Sequence, residues 1–225
     1  MKLVYEFTKT GDLIYISHLD LGRLFLRVLR MAGLRPAYSQ GFNPHPKMSF
    51  ALPLPLGVHS VCELLEFETF EAFVDIEKVN ARLPAGVRVT SQWEKPCSVP
   101  KSMASYVAAS NYEFMCENIT DAPSRLEDYF SRPGVIVKKF DKKTGKESEK
   151  EIRAEMLDYR IVKNMRGRML AEVTLSAKPG KTLNPLVFFT GFCEAQGLDA
   201  GSLAPVITRT AILGSSGKPL KEVLE

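Results

Sequence analysis

The segment from Ser39 to Pro55, SQGFNPHPKMSFALPLP, restricts this chain more than any other part of it. Four prolines (Pro44, Pro46, Pro53, Pro55) fix φ, remove backbone donors and push the residues before them out of the helical region. A long helix is excluded there, and the segment reads as a rigid loop leading into a strand. So stiff a backbone holds polar side chains in one geometry at little further entropic cost, which a binding site requires. Ser39, Gln40 and Asn43 supply hydrogen-bonding groups, and Tyr38 and Phe42 offer stacking faces. Gly41 admits a turn, and His45, Lys47 and Ser49 complete the polar set.

Charge points to the same end. Seven bases and three acids lie in the first 60 residues, and the other 23 bases and 23 acids cancel, so the whole formal excess of +4 falls there. All three histidines, His18, His45 and His59, are in that stretch too. A local basic surface favours an anionic partner such as nucleic acid or a phosphorylated ligand.

The element pattern before and after this segment repeats in kind. Lys2 to Phe7 alternates as a strand and ends at Thr10-Gly11-Asp12. Ser17-His18-Leu19-Asp20 resembles a capping box and opens a helix with Leu21, Leu24, Phe25, Val28, Leu29 and Ala32 at helical spacing, stopped by Gly33. Strands follow at Met48 to Leu52 and Val61 to Phe70, the second with acids at Glu63, Glu66 and Glu68. A helix over Phe73 to Leu83 and a strand over Val87 to Trp93 complete a βαββαβ order. Residues 97–105 read as a linker. Beyond it, strands are expected at 111–117, 135–140, 155–163, 169–177 and 205–213, with helices over 122–131 and 184–196 and a charged hairpin tip around Thr144-Gly145. The expected fold is therefore α+β, with two ferredoxin-like (βαββαβ) halves built on antiparallel sheets. They span residues 1–97 and 106–214, and residues 215–225 form a loose tail.

No apolar run reaches the roughly 18–20 residues of a membrane span, and the strand-like, acid-containing start is not a signal peptide. A cytoplasmic protein without a membrane partner is expected. Cys62, Cys97, Cys116 and Cys193 never form CxxC or CxxxCxxC, so they read as free thiols, and the chain alone holds no iron–sulfur cluster. Gly11, Gly41 and Gly57 form no phosphate loop, and GxSxG and HExxH are absent.

The first helix places Asp20, Arg23, Arg27 and Arg30 on one side, at offsets of three and four. These arginines could track phosphates or hold a planar anion, and His18 stands at the helix N-terminus, where anions are favoured. The alternative is a solvated face in which Asp20 pairs with Arg23. His45 and Lys47, with His18, are the catalytic candidates. A neutral imidazole beside an ammonium could act as general base while the lysine stabilises a phosphorane-like charge, and metal-independent RNA cleavage needs little more. His18, Asp20, His45 and His59 could instead gather as a metal site. Arg166 and Arg168, flanking a glycine turn, could add to an RNA surface.

YISHLDLGRLFLRVLRMAGL followed by AYSQGFNPHPKMSFALPLPLGV resembles the signature of the radical-SAM-linked family of uncharacterised bacterial proteins, most closely over residues 1–70. The charged hairpin around Lys142 to Ile152 fits it more loosely. The resemblance carries over Ser17, His18, Asp20 and Arg23 in the helix, with Ser39, Gln40, Gly41, Phe42, Asn43, Pro44, His45, Pro46, Lys47 and Ser49 in the loop. One departure is Gly22, where a larger residue is common. The resemblance implies a stand-alone module working with a separate radical SAM protein, which would carry the iron–sulfur cluster, S-adenosylmethionine and cobalamin. It implies tRNA or rRNA as cargo and no cofactor on this chain. A more distant likeness is to CRISPR-associated RNA endonucleases built from tandem ferredoxin-like domains. The expected function is an accessory or substrate-presenting module that binds RNA or another anionic ligand in a basic groove. The alternatives are a metal-independent ribonuclease using His45 and Lys47, and a purely structural protein partner.

Overall fold

The computed structural model describes residues 1–71, 73, 75–141, 145–165 and 167–224. The chain is α+β, and it divides into two units, residues 1–108 with 209–225 and residues 109–208.

In the first unit, β1 (Lys2–Lys9) buries Leu3, Val4, Tyr5 and Phe7 and is the central strand. It pairs antiparallel with β3 (His59–Glu68) on one side and β4 (Val87–Glu94) on the other. The short β2 (Met48–Phe50) pairs antiparallel with the far edge of β3, giving the order β4-β1-β3-β2. Helix α1 (His18–Met31) lays Leu21, Phe25, Val28 and Leu29 onto the sheet, and Phe25 meets Phe7 edge-on at 4.8 Å. After Thr10 the chain forms a 3-10 turn over Gly11–Tyr15 in place of a simple reversal.

The expected helix over Phe73 to Leu83 is only α2 (Ile76–Asn80). Asp75 sets its start by accepting the Glu77 N–H at 3.0 Å, and Phe73 is left exposed. Residues 97–105 are no loose linker either. The buried Lys95 ammonium pairs with Glu66 (2.9 Å) and bonds the Lys101 carbonyl, while a 3-10 turn over Met103–Tyr106 buries Met103.

The second unit is built on β5 (Val107–Glu117), which pairs antiparallel with β9 (Arg168–Lys178), and β9 pairs antiparallel with β8 (Met156–Met165). α3 (Ala122–Ser131) and α4 (Pro185–Gln196) pack there, with Tyr129 in edge contact with Phe188 and with Phe192, each at 5.6 Å. Residues expected as a hairpin tip form strand β7 (Lys146–Glu151), paired in a separate two-stranded sheet with β6 (Ile136–Asp141). Lys142 and Thr144 lie outside the described residues. A two-residue strand β10 (Lys181–Thr182) pairs antiparallel with the end of β9, and the last strand, β11 (Val206–Gly214), follows α4 in the chain.

The expected tail also folds. From Arg209 onward the chain belongs to the first unit, where α5 (Leu220–Leu224) buries Leu220 and Leu224 and Lys221 pairs with Glu6 at 2.9 Å.

Candidate functional site

The start of α1 is capped as its sequence suggests. Ser17 Oγ accepts the Asp20 N–H at 3.1 Å and donates to Asp20 Oδ2 at 2.7 Å. Arg23 Nη1 donates to Asp20 Oδ1 at 2.9 Å. These two partners, the Ser17 hydroxyl first, hold the Asp20 carboxyl below its ordinary value. The anion favoured at this helix end is thus the chain's own carboxylate. His18 turns its ring edge to Phe50 at 4.9 Å between centroids.

The proline segment closes on itself. Ser39 N–H donates to the His45 carbonyl at 2.8 Å, and His45 N–H returns to Ser39 Oγ at 3.0 Å. Lys47 N–H donates to the Ala37 carbonyl at 2.8 Å, and Tyr38 forms a bridge with Pro46. Gly41 has φ +123°, which L side chains rarely adopt, so the tip requires glycine. Phe42 at that tip is fully exposed, and Gln40, Asn43 and His45 are exposed. The side chains of Gln40, Asn43, His45 and Ser49 have no hydrogen-bond partner among the described residues.

The segment runs back along α1. At one end, Arg30 donates to the Tyr38 hydroxyl and lies 5.7 Å from its ring centroid. At the other, Phe50 meets His18, and a Cβ on Gly22 would sit 3.8 Å from Met48 and 3.9 Å from Phe50. These contacts are twelve residues apart on α1, about 18 Å of helix. Arg23, Arg27 and Arg30 are all exposed on α1, about 5–6 Å from one to the next.

The charge surplus read from the first 60 residues is smaller in space than in sequence. Lys9 is 1 % exposed, and its ammonium donates to the Ile16 carbonyl at 3.0 Å. Desolvation lowers its pKa, while Glu63 opposes that shift. Arg35 pairs with Glu71, and Lys47 donates to Glu68 at 2.8 Å while Lys2 stands 3.6 Å from the same carboxylate. Lys47, above all, holds the Glu68 carboxyl below its ordinary value. Arg27 is left with no ion-pair or hydrogen-bond partner among the described residues. Glu68 and Glu71 lie beyond the first 60 residues, and the register of β3 on β1 brings Glu68 beside Lys2.

Sequence reading therefore missed Glu68 as the partner of Lys47, Arg30's partner role for Tyr38, and the residues that fix Pro53. Arg209, 1 % exposed, pairs with Glu63 at 2.8 Å and donates to the Leu52 carbonyl (3.2 Å) and the Pro53 carbonyl (2.9 Å). The alternating acids of β3 were the available signal: Glu63, Glu66 and Glu68 each take a cation from a different part of the chain.

Among the described residues, no group of three or more His, Cys, Asp or Glu side chains is placed to hold a metal. His18, Asp20, His45 and His59 are thus not brought together as a ligand set. Arg166 lies outside the described residues, and Arg168 pairs with Glu117 at 2.9 Å. No helix among the described residues is long and apolar enough to cross a membrane.

The first unit also contains a cavity of about 520 Å³ at the ends of β1, β3 and β4, none of it lined by the predicted site residues. Lys2, Glu68 and Glu94 are its charged rim, and Phe70, Cys97 and Pro100 stand among its walls.

A comparison with curated proteins finds no match. Residues 2–185 match the family described as "Uncharacterized protein conserved in bacteria" (DUF2344), and the chain belongs to that family.

Proposed function

We propose that this chain is an accessory, substrate-presenting module for a radical SAM enzyme, and that it binds RNA along the surface shared by α1 and the clasped loop. The observation that carries the reading is the run of Tyr38–Phe50 back along α1, pinned at Arg30 and at His18. It supports a single strip holding Arg23, Arg27, Arg30 and the exposed Phe42, Asn43 and His45. Arginines at helical spacing suit successive phosphates, and a fully exposed aromatic ring with free amide and imidazole groups beside it suits unpaired bases. tRNA or rRNA is the cargo in this reading. The iron–sulfur cluster, S-adenosylmethionine and any cobalamin belong to the partner, and the protein works in the cytoplasm.

Binding is favoured over cleavage. A general base needs a second group to orient it, and the His45 imidazole has none among the described residues, while the Lys47 ammonium is engaged by Glu68. The first unit supports the fold reading: it has βαββαβ order with strands β4-β1-β3-β2, a ferredoxin-like arrangement. In the second unit, β5, β9 and β8 lie side by side, and the β6–β7 hairpin is inserted after α3.

The test is fluorescence anisotropy of labelled tRNA and single-stranded RNA across a salt series. Affinity falls with salt for the wild type, and the Arg23→Ala/Arg27→Ala variant loses about 1.4 from the slope of log affinity on log salt, since each phosphate contact contributes about 0.7 on single strands. Equal affinity and slope for variant and wild type would overturn the reading. Co-purification with the radical SAM partner that is lost on changing Phe42 and Pro44, with no RNA bound, would replace it with a docking role.

A further inference from the structure

The cavity at the ends of β1, β3 and β4 has walls that are set without a ligand. On one side, Val99 N–H donates to the Pro96 carbonyl at 2.9 Å, and the Lys95 ammonium ties down the Lys101 carbonyl. On the other, Ala37 N–H donates to the Glu68 carbonyl at 2.8 Å, and Thr69 N–H donates to the Met1 carbonyl at 3.0 Å. Phe70 lines the space yet is 77 % exposed, so its ring is left free for a ligand.

The rim carries usable charge. Lys47 already donates to Glu68 at 2.8 Å, whereas the Lys2 ammonium is 3.6 Å from that carboxylate, beyond hydrogen-bond range. Lys2 therefore keeps donors for a second anion. Glu94 is exposed and has no partner among the described residues, so its carboxylate can accept amine hydrogens.

We propose that this cavity is a nucleotide pocket, with a base laid against Phe70 and its phosphate on Lys2. A volume of about 520 Å³ is that of a small-ligand site. Glu94 gives it a preference for bases with an exocyclic amine (adenine, guanine, cytosine) over uracil. The ligand is either a free mononucleotide or one unpaired residue of a bound RNA. The second source rests on the reading given under Proposed function, and Lys47 connects the two places: it belongs to the clasped loop, and its partner Glu68 lines the cavity.

Cys97 provides the readout, because it is exposed and lines the cavity. Burial pushes the Cys62 and Cys116 thiols up to about 12 and Cys193 up to about 11, so a maleimide reaches Cys97 first. AMP, UMP, adenosine and a short single-stranded RNA are each titrated, following Cys97 alkylation and calorimetric binding. AMP is expected to slow alkylation, with UMP and adenosine weaker. Phe70→Ala and Lys2→Ala each weaken AMP by about tenfold, the range of one lost stacking or charged contact. Protection by the RNA as well as by AMP identifies the polymer as the source, and protection by AMP alone identifies the free nucleotide. A Cys97 rate unchanged by AMP and by RNA, with no heat of binding for AMP, overturns the pocket. If RNA still binds in a salt-dependent way under those conditions, the pocket fails and the helix surface stands. If AMP binds and RNA does not, the RNA reading fails and the pocket stands.

Discussion

The Ser17 hydroxyl uses both its lone pair and its proton at the first turn of α1, on the backbone and the carboxylate of Asp20. Replacing it, Ser17→Ala, is expected to cost about 1 kcal/mol, read as a lowered urea midpoint with unchanged slope. No change in midpoint would mean that the cap contributes nothing. Glu71 gives a pH-dependent counterpart. It accepts the Arg35 N–H at 2.6 Å and the Thr69 hydroxyl at 2.7 Å and is engaged by the Arg35 side chain, and these hold its carboxyl near 2, down from 4.5. Its folded value is depressed, so its contribution is complete above pH 4.5 and is lost as pH falls from there toward 2. Urea midpoints taken down this range should fall more steeply for the wild type than for Glu71→Gln, and parallel curves would exclude the linkage. At this scale, the sequence was readable where partners are neighbours in the chain. Ser17, Asp20 and Arg23 lie within one helical turn. Lys47 and Glu68 meet only through the register of β2 on β3, which no local pattern specifies.

Elements were legible in proportion to their punctuation. α1, α3 and α4 combine apolar periodicity with a start signal, and α1 and α4 are followed by glycines at φ +92° and +64° (Gly33 and Gly197). α2 had the periodicity without a usable start, so Asp75 moved its beginning inward. Gly22 is not held by close packing, since a methyl there meets Met48 and Phe50 only at ordinary contact distance. Gly22→Ala is therefore expected to stabilise by about 0.5–1 kcal/mol through helix propensity, and a loss of stability would show that β2 sits closer to α1. Gly86 is the opposite case. At φ +97°, a Cβ would come 2.5 Å from the Thr10 carbonyl oxygen, which itself is fixed in backbone. Gly86→Ala should cost at least about 1–3 kcal/mol, checked by the same denaturant titration.

For the whole molecule, the long-range charge pairs of β3 matter more than the surface ones. Arg209 and Glu63 are both buried, and the guanidinium also satisfies two carbonyls of the proline segment. Arg209→Met leaves Glu63 buried and unpaired and is expected to cost about 3–5 kcal/mol, whereas the Arg209→Met/Glu63→Met double variant should recover most of it. Additive losses would mean that the pair is not what holds the segment. This link was hidden from sequence because 146 residues separate its ends. The same distance explains why the C-terminal residues read as a tail. The central claim, that α1 and the clasped loop form one RNA-binding strip, is tested most directly by photo-crosslinking the purified chain to 4-thiouridine RNA and identifying the modified peptides. Adducts within residues 18–31 and 38–47 are the expected result. Adducts confined to residues 109–208, or none at low salt, would contradict it.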